Sequence, residues 1–232
     1  MTLFDRLLAE TETERNRFLG LPIIRRAREE GVSLALYLAF LGQAYHHVRQ
    51  TCPLLGLALA RCGTDDADYR AGLIGYIDEE KGHEEWILDD IAALGGDADA
   101  VRLSLPGIPC RAMVAYATWA IEHVSPYALL GMVHVLEGMS VELADAVARR
   151  ISAALGNGDG ALPAAGFSYL ASHGALDREH VRYFEELVNA IDDPEAADAI
   201  IDTANAIYRL YGDMFVEIAA TAGSEESRAD AA

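Results

Sequence analysis

Apolar positions recur at three- and four-residue spacing along nearly the whole chain, and no segment alternates as a half-buried strand would. Leu3, Phe4, Leu7 and Leu8 share one face of a first helix over 2–18, whose second half, Glu10 to Arg17, is polar. A short helix over 21–30 stops at Gly31, where a C-terminal glycine is expected. Ser33 caps a long apolar helix from Leu34 to about Arg49; Pro53 breaks it, and 54–62 continues as a short helix. Thr64-Asp65-Asp66 places acids in the first turn of the next helix, which runs to Leu94 and ends at Gly95-Gly96. Residues 97–108, with Pro106-Gly107, read as a loop. Helices from Pro109 to His123 and from Ser125-Pro126 to about Leu155 follow. Beyond the glycine-rich loop at 156–160 come a helix ending near Ile191 and a last one from Asp193-Pro194 to near Ala220. The pattern predicts one all-α domain over 1–222, a bundle of about seven to nine helices, with a disordered tail over 223–232.

Composition narrows the function. At 232 residues and 52% hydrophobic content the chain can bury a large core. Its net charge of −19 excludes nonspecific nucleic-acid binding and attraction to anionic membranes, both of which need a basic face. Cys52, Cys62 and Cys110 are odd in number and widely spaced, so they form no disulfide framework and no zinc ribbon, and they read as reduced thiols. The first residues lack a basic segment followed by an apolar run, and no apolar stretch reads as a membrane span. The expected location is the cytoplasm.

Candidate chemistry gathers in three places. His173, Asp177 and His180 stand at i, i+4 and i+7, so at about 100° per residue they point within a narrow arc of one helix face. Two imidazoles and a carboxylate on one line suit Fe, Mn or Zn better than Mg or Ca. Glu80 and His83 form a Glu-x-x-His pair on a shared face, and Glu137 is set in the apolar run Val133 to Met139. A carboxylate among Val, Leu and Met is costly to bury without a partner. Three helices each offering inward Glu or His is how helical bundles build dinuclear carboxylate sites. The plain alternative for each set is a solvated helix face. Gly174, inside the His-Asp-His run, disfavours helix by roughly 1 kcal/mol against Ala, so this helix is expected to order on metal loading.

The segments Asp78 to Trp86, Val135 to Gly138 and His173 to His180 resemble the haem-oxygenase-like diiron oxidases and oxygenases. Tyr45-His46-His47-Val48 is similar to the wider superfamily of thiaminase II and pyrroloquinoline quinone synthase. The resemblance covers about residues 30–220 and implies a haem-oxygenase-like helical bundle. Carried over position by position, the metal ligands fall on Glu80, His83, Glu137, His173, Asp177 and His180, holding two Fe ions with dioxygen as co-substrate. Glu79, i to i+4 from His83, competes with Glu80, and the family spacing prefers Glu80. The implied activity is a dioxygen-activating oxidase or oxygenase working through a peroxo-type intermediate on a small metabolite. An amino acid or amine-derived substrate is the first choice and a fatty acid the second. A small-molecule substrate, an external electron donor and a second copy of the chain are the partners this reading admits.

Rival readings are weaker on the residues. Haem oxygenase needs an early haem-ligating histidine, and residues 1–45 hold none. A ferritin-like bundle would repeat its Glu-x-x-His. A metal-free enzyme resembling thiaminase II needs a cysteine in its middle helices, and the helix around Glu137 has none. A non-catalytic metal-binding protein of the same fold stays open. Of adjacent His46 and His47, one is expected near the pocket and the other outward. His123 is expected to meet helix C-terminal carbonyls, and His134 to support the ligands rather than bind metal. Met132, Met139, Tyr37, Tyr45, Tyr76, Tyr127, Trp86 and Tyr211 are candidates for a pocket lining. Arg111, Arg149 and Arg182 are candidates for holding a substrate carboxylate.

Overall fold

The computed structural model describes residues 1–156, 163 and 165–229, without the side chains of 173–181 and 222–229. Among these residues there are eleven α-helices, one 3₁₀ turn and no strand. The N-terminal arm consists of α1 (Leu3–Leu19) and α2 (Pro22–Glu29). Thr2 and Asp5 form a reciprocal capping box on α1, which satisfies donors that a helix start leaves open. Helices α3 (Leu34–Val48), α4 (Thr51–Arg61), α5 (Ala67–Glu80) and α6 (His83–Ala93) follow. Then come α7 (Ala98–Leu103), α8 (Ile108–His123), the 3₁₀ turn Pro126–Ala128, α9 (Leu129–Ala154), α10 (Ser168–Asn189) and α11 (Pro194–Ala229).

Four boundaries depart from the sequence expectation. The helix expected over 64–94 is two, α5 and α6, parted at Lys81-Gly82, where Gly82 adopts φ +89°. A left-handed residue ends helical hydrogen bonding, and glycine takes that conformation without steric cost. The loop expected over 97–108 contains α7, capped by the Asp97 carboxylate, which accepts from Ala100 N at 2.8 Å. Pro53 sits in the first turn of α4, where its missing N–H is no loss, and α3 has already ended at Val48. Finally, α11 continues past Ala220 into the stretch expected as a tail.

α9 and α11 form the central pair, against which α8, α10, α1 and α2 pack. Their backbones come close at Gly131, where a Cβ would lie 2.3 Å from the Ile200 carbonyl oxygen. The main core fills the space between α4, α8, α9 and α11 with residues such as Leu55, Met113, Val135 and Ile207. A second core joins α3, α6, the end of α9 and the start of α10 through Tyr37, Leu41, Ile87, Ile151 and Phe167. The segment Pro126–Ala154 is long and apolar enough to cross a membrane by length and composition, contrary to the sequence expectation. Half of its most apolar window is buried inside this protein, as a core helix requires.

Candidate metal centre

Glu80 is the last residue of α5 and His83 the first of α6, so the pair straddles the turn at Gly82 rather than sharing one helix. The turn nonetheless brings them together: His83 Nδ1 lies 3.3 Å from Glu80 Oε2, with His83 buried and Glu80 mostly so. Glu137 arrives from α9, and all three line one cavity of about 160 Å³. Glu79, next to Glu80, is exposed and does not line it. These donors are two carboxylates and an imidazole, a set suited to iron. Among the described residues, no three His, Cys, Asp or Glu stand close enough together to hold a metal ion by themselves. His173, Asp177 and His180 lie on α10, and their side chains are outside the described residues, as is the expected metal-coupled ordering of their helix. The helix that carries them packs against α5, α6 and α9, the elements that bear the other three.

The start of α10 is held from a distance. No side chain of its own caps it; instead Asp90 of α6, 1% exposed, reaches across. Its Oδ1 accepts from Gly166 N at 3.1 Å, Ser168 N at 3.0 Å and Ser168 Oγ at 2.8 Å, and its Oδ2 from Tyr169 N at 2.9 Å. An anion at a helix N-terminus meets unbonded N–H groups and the positive end of the helix dipole. One carboxylate thus ties the helix beginning at His83 to the helix carrying His173, Asp177 and His180. Nothing in the sequence separates Asp90 from the other acids of α6.

The histidines sort themselves by surroundings. His47 is buried and lines the cavity, its ring edge-on to Tyr211 at 6.0 Å. His46 does not face outward as expected: it is also buried, and its Nε2 is 2.9 Å from Ser104 Oγ. The bend of α7 onto α3 supplies that partner. His123 is exposed and stands beside the Glu122 carboxylate, while Arg61 takes the Glu122 carbonyl instead. His134 is buried among Phe4, Phe184 and Tyr208 at the floor of a groove between α1 and α9, and Glu137 lines this groove as well as the cavity.

The rest of the cavity wall is predominantly apolar, drawn mainly from α2, α3, α4, α9 and α11, with Ile24, Phe40, Leu55 and Leu136 typical and Thr51 and Ser140 as polar exceptions. Of the expected lining, Tyr37, Tyr76, Met132, Met139 and Tyr211 are present, whereas Tyr45, Tyr127 and Trp86 are not. No Arg or Lys is among the described lining residues. Arg111, Arg149 and Arg182 are all exposed, and Arg149 is paired with Asp145. Tyr76 stays protonated: burial first, then the Glu137 charge, pushes its phenol far above the usual range. The three thiols are raised as well, Cys110 and Cys62 each to about 11, by burial first and then by Glu217 and Asp66 respectively. None of them lines the cavity.

Residues 38–212 match the family described as iron-containing redox enzymes. The chain belongs to that family. Solved structures similar to this iron-containing redox enzyme family member agree on the architecture. A domain of unknown function with a haem-oxygenase-like fold from Shewanella denitrificans is 20% identical, with a TM-score of 0.86, covering 97% of this chain and 95% of that one. A TenA homologue from Pseudomonas syringae is 13% identical, with a TM-score of 0.75 and coverage of 93% and 91%. Haem oxygenase-1 from Synechocystis, solved in complex with haem, is 13% identical, with a TM-score of 0.73 and coverage of 98% and 96%. At these identities the likeness establishes the haem-oxygenase-like fold. No curated protein matches this family member in sequence.

Proposed function

We propose that this protein is a non-haem diiron oxidase or oxygenase that activates dioxygen against a small, predominantly apolar metabolite. The observation that supports the reading is that Glu80, His83 and Glu137 all line one largely apolar cavity, on elements packed against the helix that bears His173, Asp177 and His180. When bound, iron would supply the electrons and open coordination positions that dioxygen needs. Glu80 and Glu137 would bring negative charge to the cations, and His83 a neutral nitrogen. Burial of two carboxylates in such a wall is costly unless a cation or hydrogen-bond donor meets them. Tyr76, kept protonated beside Glu137, is a hydrogen-bond donor at the edge of the site. The apolar lining excludes water and holds the substrate body.

The lining also bears on the substrate. An amino acid would bury its carboxylate with no Arg or Lys among the described lining residues to pair it. A molecule with an aliphatic or aromatic body and one polar end at the ligands meets no such penalty. That favours the fatty-acid-like class, whose single charged end can sit at the ligands, over amino acids, which bring both an ammonium and a carboxylate. The metal-free, thiaminase-like alternative is equally consistent with the fold; what weighs against its cysteine-dependent form is that no thiol lines the cavity.

Anaerobic Fe(II) titration followed by metal analysis is the test. Uptake should approach two irons per chain and fall in His83→Ala and Glu137→Ala. Saturation at a single ion, indifferent to both substitutions, would sink the dinuclear reading. Oxygen uptake triggered by aliphatic but not by amino-acid substrates would then support the assigned class.

A further inference from the structure

His83 has a second neighbour that the proposed reaction does not use. The Trp86 indole stacks on its imidazole, ring centroids 4.1 Å apart and planes 27° from parallel. Trp86 follows His83 by three residues on α6, so helix geometry alone brings the two side chains onto one face. His83 is 5% exposed and lines the cavity; Trp86 is half-buried and does not line it. The indole therefore backs the imidazole on the side away from the substrate cavity and reaches toward solvent. The second tryptophan, Trp119, is 49% exposed on α8 and touches only Tyr116 and His123 among the described rings. Neither of those lines the cavity.

We propose that Trp86 is the outlet for oxidising equivalents that the centre generates when no organic substrate is bound, and hence the chain's own oxidative modification site. The inference rests on the metal reading of Glu80, His83 and Glu137. Indole is among the side chains that lose an electron most readily, and ring contact with a metal ligand is a short path for one. In the step, Trp86 gives one electron through His83 to the oxidised centre and its ring N–H proton to solvent, leaving a neutral indolyl radical. A hydrogen-atom donor of the ascorbate or thiol class, meeting the half-exposed ring, returns both and restores Trp86. Without such a donor the radical adds dioxygen and then takes one electron from excess Fe(II) and one proton from water. The product is a ring-opened residue heavier by two oxygen atoms. The exposed edge makes the repair possible; the buried contact makes it necessary.

Three measurements test this. In Trp119→Phe the remaining indole reports on His83, so anaerobic Fe(II) or Co(II) should quench its fluorescence to saturation. No quenching, with no metal retained on equilibrium dialysis, overturns the metal reading and this inference with it. Wild-type protein loaded with Fe(II), held in dioxygen without substrate or reductant and then digested for peptide mass spectrometry, should carry several-fold more oxygen adduct on Trp86 than on Trp119. Ascorbate should suppress the adduct, and Zn(II)-loaded protein should show none. Bound iron with equal adducts on both tryptophans, or none on Trp86, overturns the outlet while leaving the centre standing. Trp86→Phe keeps an apolar ring against His83 and should still bind Fe(II), but should lose that capacity after several-fold fewer exposures to dioxygen. Unchanged survival would show that the stack only packs.

Discussion

His134 offers a perturbation whose size can be worked out from its surroundings. Its ring lies 6.0 Å from Phe184 in a near-parallel stack and 6.3 Å from Phe4 and from Tyr208 edge-on, and its buried Nε2 has no hydrogen-bond partner among the described residues. Burial, and then the nearby Arg15 charge, lowers its pKa from 6.5 to about 4. The unfolded chain therefore binds more protons than the folded one between those values, and stability rises with pH across the window. The contribution is complete above 6.5, shrinks as pH falls, and is gone once pH passes about 4. At about 1.4 kcal/mol per unit, the interval corresponds to roughly 3 kcal/mol. Phenylalanine fits an aromatic socket and leaves no stranded nitrogen, a defect that costs about 1–3 kcal/mol. His134→Phe should thus match or exceed the wild type in stability at neutral pH, and its advantage should widen by roughly 3 kcal/mol toward pH 4. Urea unfolding of the metal-free proteins across that range measures it directly. Other carboxylates contribute equally to both chains and cancel in the difference. Parallel stability curves would refute the reasoning, since they would mean that His134 titrates alike folded and unfolded.

Three further outcomes follow from the same structure. Asp90→Ala strands four donors at the start of α10 and should cost about 3 kcal/mol or more, with Asp90→Asn losing less, by urea unfolding. Because that helix carries His173, Asp177 and His180, the same substitution should also weaken Fe(II) binding in anaerobic titration. Gly131→Ala drives a Cβ into the Ile200 carbonyl and should destabilise by about 1–3 kcal/mol in thermal or urea unfolding. Added haem should give no stoichiometric complex with a shifted Soret band; a spectrum responsive to substitution of one histidine would instead place this chain with the haem-binding neighbours.

The helical architecture was legible because nearly every buried face repeats at helical spacing, as Leu34 to Val48 does around Tyr37, Leu41 and Tyr45. Short elements were not. α7 is six residues with no buried face, and only the Asp97 cap announces it. Of the site, Glu80 and His83 could be picked out by their Glu-x-x-His spacing, and Glu137 because an acid in an apolar helical run demands a reason. That all three line the same cavity needed the fold. Asp90 and His47 act through contacts across the bundle, and local sequence holds no trace of such partners. The arginines could not be placed from sequence, because a cation looks the same there whether it faces a cavity or, as Arg111 does, the solvent.

The left-handed turn at Gly82 sets how Glu80 and His83 are aimed at each other. Had Glu80 and His83 ridden on one continuous helix, their separation would be set by the rise and twist of that rod, and any adjustment would mean unwinding a turn. Hung instead on the facing ends of two rods, they take their relative aim from the backbone angles of Lys81 and Gly82, so a side chain at position 82, strained at φ +89°, would re-aim both at once.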